Sequence, residues 1–373
     1  MRLAPTVWFA SINCFPKNRP EDSIRPAPVR FFPLGAAHKS RDALLRPALQ
    51  WRHCFFRESF SMLAGLLLAI GACAIWGLIY IFPLILPEYN PVVIASGRFL
   101  VYGLACLAFL PVQWHVLKTF TLSDWLLALR LAFFGSLIYY CSLVMGVQLA
   151  GAPLVGMFMC WIPVLVAIVA NHRSREKGAG VAWKSLIFPL SLIVSGMFVA
   201  NWTEFHFVTT QGGSSGRFWL GVACAVFSML LWTWYPIRNA EWLLKNKGKS
   251  PKVWATAQGL SVLPVTLVVF LAVSWTAEPA ATGLLGPEPV KFILVMLVAG
   301  VVCSWGGAAL WNAMSQRLPP ALGGQMIVFE TIFSVIYALI WRGDWPTPSM
   351  VIGLAMLLSG VLAALRVFRN EKV

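Results

Sequence analysis

Along most of the chain the apolar residues do not alternate with polar ones but run together in blocks of roughly twenty, separated by short polar, Pro-bearing or Gly-bearing turns. About 20 residues rising ~1.5 Å each cover ~30 Å of hydrocarbon, so each block predicts a membrane-spanning helix. This gives ten spans, over 63–86, 91–112, 125–147, 152–170, 183–200, 217–236, 253–275, 290–313, 320–341 and 348–367. Only the turn QLAGAP separates the third from the fourth, and Arg130 and Gln148 interrupt the apolar pattern there. Residues 1–61 are different. They are rich in Arg and Pro and hold no run long enough to span. Such a leader reads either as a transit peptide or as an in-frame upstream extension. The second reading is favoured, because Met62 immediately precedes the first span.

Blocks repeat as well as recur. GLLLAIGACAIW, ending at Trp76, and GVACAVFSMLLW, ending at Trp232, share an opening Gly and a Trp eleven residues later. GAPLVGMFMCWIPVLVAIVA in the fourth span and LPPALGGQMIVFETIFSVIY in the ninth share a Pro, a Gly three residues on, and a long apolar continuation. Five spans per half make an odd number, so the second copy enters the bilayer in the opposite sense to the first. The expected fold is an all-α integral membrane bundle of ten transmembrane helices, built as an inverted five-plus-five repeat. Its halves are expected at 62–200 and 217–368.

Composition agrees with this pattern: 59% of residues are hydrophobic and 12% charged, against ~45–50% and ~25% in soluble domains. The net charge of +15 would suggest nucleic acid in a soluble chain. Here the basic residues sit between apolar runs, where the positive-inside rule explains them, and nucleic-acid binding is rejected. Of the 29 Lys and Arg, 25 fall in the segments that ten crossings put on one side. Only Arg217, Lys291 and Arg342 fall on the other, and Arg98 lies within the second span. Both termini are therefore expected in the cytoplasm, with the chain in the cytoplasmic membrane. Six of the eight cysteines lie inside apolar runs and none has a CxxC spacing, so neither disulfides nor a metal site is expected.

Ten spans in a five-plus-five arrangement resemble the EamA-type drug/metabolite transporter family, over roughly residues 62–368. The most specific segment is ALWNAMSQRLPPALGGQMIVFETIF, which is similar to the family's pattern of an apolar run with Trp, a basic turn, a Pro and then a Glu. Glu330 matches that Glu, although Thr331 stands where the family usually has Pro, and Arg98 in VIASGRFLVYG matches the Arg frequent in its second span. IWGLIYIFPLILPEYN, NAEWL, WATAQ and WRGDWP look closest to one branch of bacterial inner-membrane proteins within the family. The resemblance implies solute transport, usually export, with a small-molecule substrate that it does not name.

The residues point to a cavity on their own account. A carboxylate in mid-hydrocarbon costs on the order of 3 kcal/mol, so it ordinarily faces a bundle interior. Gly323, Glu330, Ser334 and Tyr337 share one helix face, which turns Glu330 toward protein. Gly300, Ser304, Ala308 and Asn312 form a small and polar stripe on the eighth span, for which tight packing is the plainer reading. Trp76 with Tyr80, Tyr139 with Tyr140, and Trp311 with Asn312 need partners for their polar atoms within the membrane. Gln325 reads first as an interhelical hydrogen-bonding group. By helix rise Arg98 lies ~10 Å beyond Pro91 and Glu330 ~15 Å beyond Pro320 on the opposite side. Arg98 is close enough to the edge to snorkel; Glu330 is not. Three readings stay open: a structural Arg98–Glu330 ion pair, a snorkelling Arg98, and a pair serving substrate. In the last, Arg98 holds an anionic group while Glu330 receives an amine or a coupling proton.

The expected substrate-binding or coupling set is Arg98, Glu330, Trp76, Tyr80, Tyr140, Trp311, Asn312 and Gln325. No catalytic residue, metal or cofactor is expected: HExxH, GxSxG and GxxxxGK[ST] are absent from the sequence, and its five histidines lie outside the predicted spans. Expected partners are a small-molecule substrate and the lipid bilayer, with a homodimer as one assembly open to such a bundle. A non-transporting structural or regulatory subunit, or a channel, is the competing class.

Overall fold

The computed structural model describes residues 61–370 apart from 151, 160, 177, 179, 201, 203–215, 277–282 and 344. The basic segment expected at 1–61 lies outside the described residues except for Ser61. The chain divides into units Met1–Ser61 and Met62–Val373. The described residues of the second unit form helices and no strand. In order the helices are α1 (Ser61–Ile85), α2 (Pro91–Leu117), α3 (Leu122–Ala150), α4 (Ala152–Met159), α5 (Ile162–Arg175), α6 (Trp183–Ala200), α7 (Gly216–Lys245), α8 (Pro251–Thr276), α9 (Pro289–Ser315), α10 (Pro320–Gln325), α11 (Val328–Arg342) and α12 (Pro348–Asn370).

Sequence chemistry sets where these helices start. Pro occupies the first position of α2, α8, α9, α10 and α12, where its missing N–H costs nothing and its fixed φ already suits a helix. Asn90 caps α2 by accepting from Val92 N at 2.8 Å. Thr121 and Asp124 exchange bonds as a capping box at the start of α3. Gly343 ends α11 in the left-handed region, at φ 72°, which a side chain would resist.

Ten long spans were expected, and nine segments among the described residues are long and apolar enough to cross a membrane, with α10 and α11 together counting as one. The exception is the predicted fourth span, divided into α4 (8 residues) and α5 (14 residues). Pro163 at the start of α5 has no N–H to donate to the preceding turn. The ninth span was also expected as one helix, but α10 stops at Gln325 and α11 resumes at Val328. Further irregularities lie deep in the bundle. Phe133–Ile138 in α3 and Val298–Gly306 in α9 are wound as π-helix, and Leu78–Tyr80 in α1 as 3-10 helix. In the other direction, α7 runs to Lys245, beyond the predicted limit of 236, because Pro236 is accommodated inside it.

Helices pack in definite pairs: α2 on α8, α6 on α12, α5 on α10, the second half of α3 on α7, and the π-segment of α9 on α2. Glycine sets the closest approaches. A Cβ at Gly103 would meet Leu263 at 2.7 Å, and one at Gly259 would overlap the Cys106 sulfur, so α2 and α8 touch at nearly backbone distance. Gly196 and Gly353 do the same for α6 and α12, where an added Cβ on either would strike the opposite backbone. Without a hydrophobic drive between helices in lipid, such close packing supplies much of the association energy. α1 lies between α9 and α11: Trp76 Nε1 donates to Cys303 O at 2.8 Å, and Tyr337 OH donates to Ala74 O at 3.1 Å.

Candidate functional site

Where α1, α2, α3, α7, α8, α9 and α11 converge, a small cavity of about 40 Å³ is lined by Trp76, Arg98, Tyr139, Tyr140, Trp232, Gln258, Ser304 and Glu330, among others. That volume holds roughly three ordered waters. Irregular winding explains why polar groups reach it. In the π-segment of α9, Ser304 Oγ donates to Ala299 O, five residues back, at 2.9 Å, and the Cys303 carbonyl is left to accept from Trp76. π-helical winding inside an α-helix recurs at functional sites.

Arg98 is 6% exposed, so the snorkelling reading is set aside. Its Nε donates to Ser304 Oγ at 2.9 Å, and its guanidinium carbon sits 5.0 Å from the Phe99 ring centre and 4.9 Å from that of Tyr140. Both distances fall in the cation–π range. With Nε used on Ser304, the guanidinium lies on the cavity wall, where its remaining N–H groups can reach an anion.

Glu330, 3% exposed, opens the first turn of α11. Its Oε1 accepts from Tyr80 OH at 3.1 Å, while Oε2 is buried and has no partner. A carboxylate oxygen out of water without a donor is costly. Among the described residues the ion pairs do not include Arg98 with Glu330. The cation and the carboxylate are therefore separate polar groups on one cavity, and the direct-pair reading loses its geometry.

The aromatic walls are equally ordered. Trp76 meets Trp232 edge-on, with ring centres 5.5 Å apart and planes at 70°. Trp232 in turn stacks on Tyr139 at 4.6 Å and on Tyr235 at 5.2 Å. Tyr140 OH donates to Ile79 O at 3.3 Å. Below them Gln258 accepts from Tyr235 OH at 3.2 Å and donates to Asn239 at 3.1 Å.

Of the eight residues expected from sequence, Arg98, Glu330, Trp76 and Tyr140 line this cavity, and Tyr80 holds Glu330 from behind. The other three are placed elsewhere. Trp311 backs Trp76 at 5.2 Å with its own Nε1 unpartnered. Asn312 is fully buried, accepting from Asn239 at 2.7 Å and donating to Pro251 O at 3.3 Å. Gln325 ends α10 with neither amide atom partnered, so the interhelical bond expected of it is not made. Sequence reasoning missed Trp232, Tyr235, Gln258 and Ser136 as lining groups. The signal for Trp232 was its place as repeat mate of Trp76, and for Tyr235 its position one turn further along α7. Gln258, a polar side chain deep in a predicted span, carried the same signal as Gln325.

Buried aromatic walls, a guanidinium and one unpartnered carboxylate oxygen inside an apolar helical bundle define a membrane protein with a polar internal cavity. Comparison with known proteins narrows the class. The EamA-like transporter family matches residues 63–202. Inner membrane protein YtfF of Escherichia coli (strain K12) is 38% identical over 311 residues, covering 82% of this chain and 96% of that protein. The chain belongs to the EamA-like transporter family. A solved structure described as "Crystal structure of protein" superposes with a TM-score of 0.63 at 14% identity, over 82% of this chain and 98% of that one. At that identity the likeness concerns the fold alone.

Proposed function

We propose that this protein is a secondary carrier that exports a small zwitterionic or amine-bearing metabolite across the cytoplasmic membrane by alternating access. One observation carries the reading. Arg98 and Glu330, from opposite ends of the sequence, face one aromatic-walled cavity without pairing to each other. Arg98 holds the anionic group of the solute through its guanidinium. Glu330 takes the amine or a coupling proton on the oxygen that has no protein partner. Trp76 and Trp232 flank the body of the solute. A cavity this small fits the stage at which both sides are shut, so solute entry requires the bundle to part.

The two halves, 62–200 and 217–368, act as inverted repeats in this reading, with the predicted fourth span, α4 plus α5, as a tenth crossing. Support comes from where the helices are irregular. The π-segments fall in the third and eighth spans, and the interruptions α4/α5 and α10/α11 in the fourth and ninth. The 3-10 turn ending at Tyr80 and the internal Pro236 lie four residues beyond Trp76 and Trp232. Interrupted helices at matching positions of two halves are the usual mark of a mid-membrane site. The name of the YtfF relative supports placement in the inner membrane, and the Lys/Arg distribution supports cytoplasmic termini.

The test is reconstitution. Proteoliposomes loaded with solutes whose levels differ between cells with and without the protein should show saturable counterflow of an amino-bearing solute. If no such solute exchanges, while the protein co-purifies tightly with a partner, it is a structural subunit and not a carrier.

A further inference from the structure

A second polar assembly lies away from the cavity, at the end of the bundle where α2 joins α3 and α7 joins α8. Asp124 is its centre. Its Oδ1 accepts from Trp242 Nε1 at 2.7 Å, and its Oδ2 accepts from Lys249 Nζ and from Thr121 N, each at 3.0 Å. The Lys249 ammonium also lies 4.4 Å from the ring centre of Phe120 and 5.4 Å from that of Trp242. With side-chain exposures of 23% for Lys249 and 13% for Asp124, the pair is far better shielded than the usual surface bridge. Shielding and two aromatic faces both raise the worth of an ammonium–carboxylate contact. The Lys249 backbone is fastened too, its carbonyl accepting from Gln316 Nε2 at 3.2 Å. One residue of the α7–α8 turn thus holds α3 with its side chain and the end of α9 with its backbone.

From this assembly an unbroken series of contacts runs to the cavity. Trp242 stacks on Trp254 at 3.5 Å and 11°. Trp254 Nε1 donates to Asn239 Oδ1 at 2.8 Å, and Gln258 donates to the same oxygen at 3.1 Å. Asn239 in turn donates to Asn312 at 2.7 Å. Gln258 and its partner Tyr235 are cavity wall. At the opposite end Tyr89 OH donates to Leu285 O at 3.0 Å and accepts from Glu288 N at 2.9 Å, and the ion pair there, Lys291 with Glu288 at 2.8 Å, is half-exposed and lies within one helix turn. The Asp124–Lys249 pair differs from it in being shielded, in joining separate helices, and in its series of contacts to the cavity wall.

We propose that Lys249 is the positioning residue of a gate. Its ammonium, held by Asp124 between Phe120 and Trp242, keeps this end of the bundle shut, and its release loosens the Trp254–Asn239–Gln258 series and opens the cavity on that side. The proposal rests on the carrier reading, which assigns this side to the cytoplasm.

The test is site-specific labelling. Ser136, which lines the cavity, is replaced by Cys in the full chain. Reaction with a membrane-impermeant maleimide is then followed from each side in oriented vesicles and quantified on that peptide by mass spectrometry. Lys249→Met keeps the length of the stem on the rings but removes the charge; Lys249→Arg keeps the charge. Lys249→Met should raise labelling from the α7–α8 side at least about threefold and lower it from the other side, whereas Lys249→Arg should stay near the parent. Asp124→Asn should reproduce the effect of Lys249→Met, and the double change should add nothing to either. Parental labelling rates in both Lys249→Met and Asp124→Asn overturn the latch, and so do additive effects in the double variant. A general rise from both sides marks unfolding, not gating, and also overturns it. Labelling needs no solute, so a protein that fails to exchange any solute yet shows the one-sided change refutes the carrier reading and leaves the latch standing.

Discussion

Replacing Arg98 and Glu330 singly and together separates two roles that give opposite stability patterns. In Glu330→Gln the amide oxygen still accepts from Tyr80 and the buried carboxylate charge is gone while Arg98 keeps its protein partners, so the change in unfolding free energy should be within about 1 kcal/mol. Arg98→Gln costs more. It removes the bond to Ser304 and two ring contacts, worth ~1.5–3 kcal/mol for a charged hydrogen bond and ~0.5–2 for each ring, partly offset by the desolvation a neutral amide no longer bears. About 2–5 kcal/mol is expected. No direct contact joins the two charges, so the double variant should fall near the sum of the singles. A true buried ion pair behaves otherwise: each single change loses ~3–5 kcal/mol by stranding a charge, and the double recovers most of it. Thermal unfolding in detergent of the parent, both singles and the double decides the matter. Equal large losses with rescue in the double would refute the reasoning.

Other expectations rest on the same geometry. Reporter fusions after Gly248 and at the C-terminus should both indicate the cytoplasm, and an external signal at either site contradicts the assigned orientation. Asn239→Leu strands Trp254 Nε1, Gln258 Nε2 and the Asn312 oxygen at ~1–3 kcal/mol each, so unfolding in detergent should lose at least about 3 kcal/mol; a loss under 1 would show that the network contributes little. Trp232→Ala removes the ring that contacts Trp76, Tyr139 and Tyr235 and should weaken solute affinity roughly tenfold or more, whereas Trp232→Phe should retain most of it; equal affinities in the two variants would count against an aromatic wall. Gly353→Leu forces α12 off α6 at a contact already at backbone distance and should lower the melting temperature while leaving solute affinity unchanged in the surviving fraction.

Much of this was legible in the sequence, and the exceptions have physical causes. Spans were legible because lipid demands long apolar runs whatever the tertiary fold, and Glu330 stood out because few side chains cost more at that depth. Arg98 could be placed in the second span, but only packing decides whether a long stem turns outward to snorkel or inward to Ser304. Breaks were hidden. The π-turns in α3 and α9 follow from how side chains meet across helices, and period alone does not encode that. The interruption at Gln325–Val328 follows Gly323, Gly324 and Gln325, a small and polar group that also fits unbroken helix packing. Trp232 and Tyr235 were missed because an aromatic ring in an apolar run has the same local sequence whether it packs in the core or lines a cavity. Trp311 and Asn312 lie outside the cavity lining, and the sequence could not show this because a buried polar atom facing a neighbouring helix has the same local sequence as one facing a cavity.

The central claim is that the unpartnered oxygen of Glu330 belongs to the transport site and is not left over from packing. Its most direct test is the initial rate of counterflow in proteoliposomes, with parent and Glu330→Gln reconstituted at equal density and run on the same solute across a range of pH. The account predicts that Glu330→Gln unfolds at nearly the parental temperature yet exchanges solute at least about tenfold more slowly, or loses the parental pH dependence. A Glu330→Gln protein that exchanges at the parental rate with the parental pH profile contradicts it.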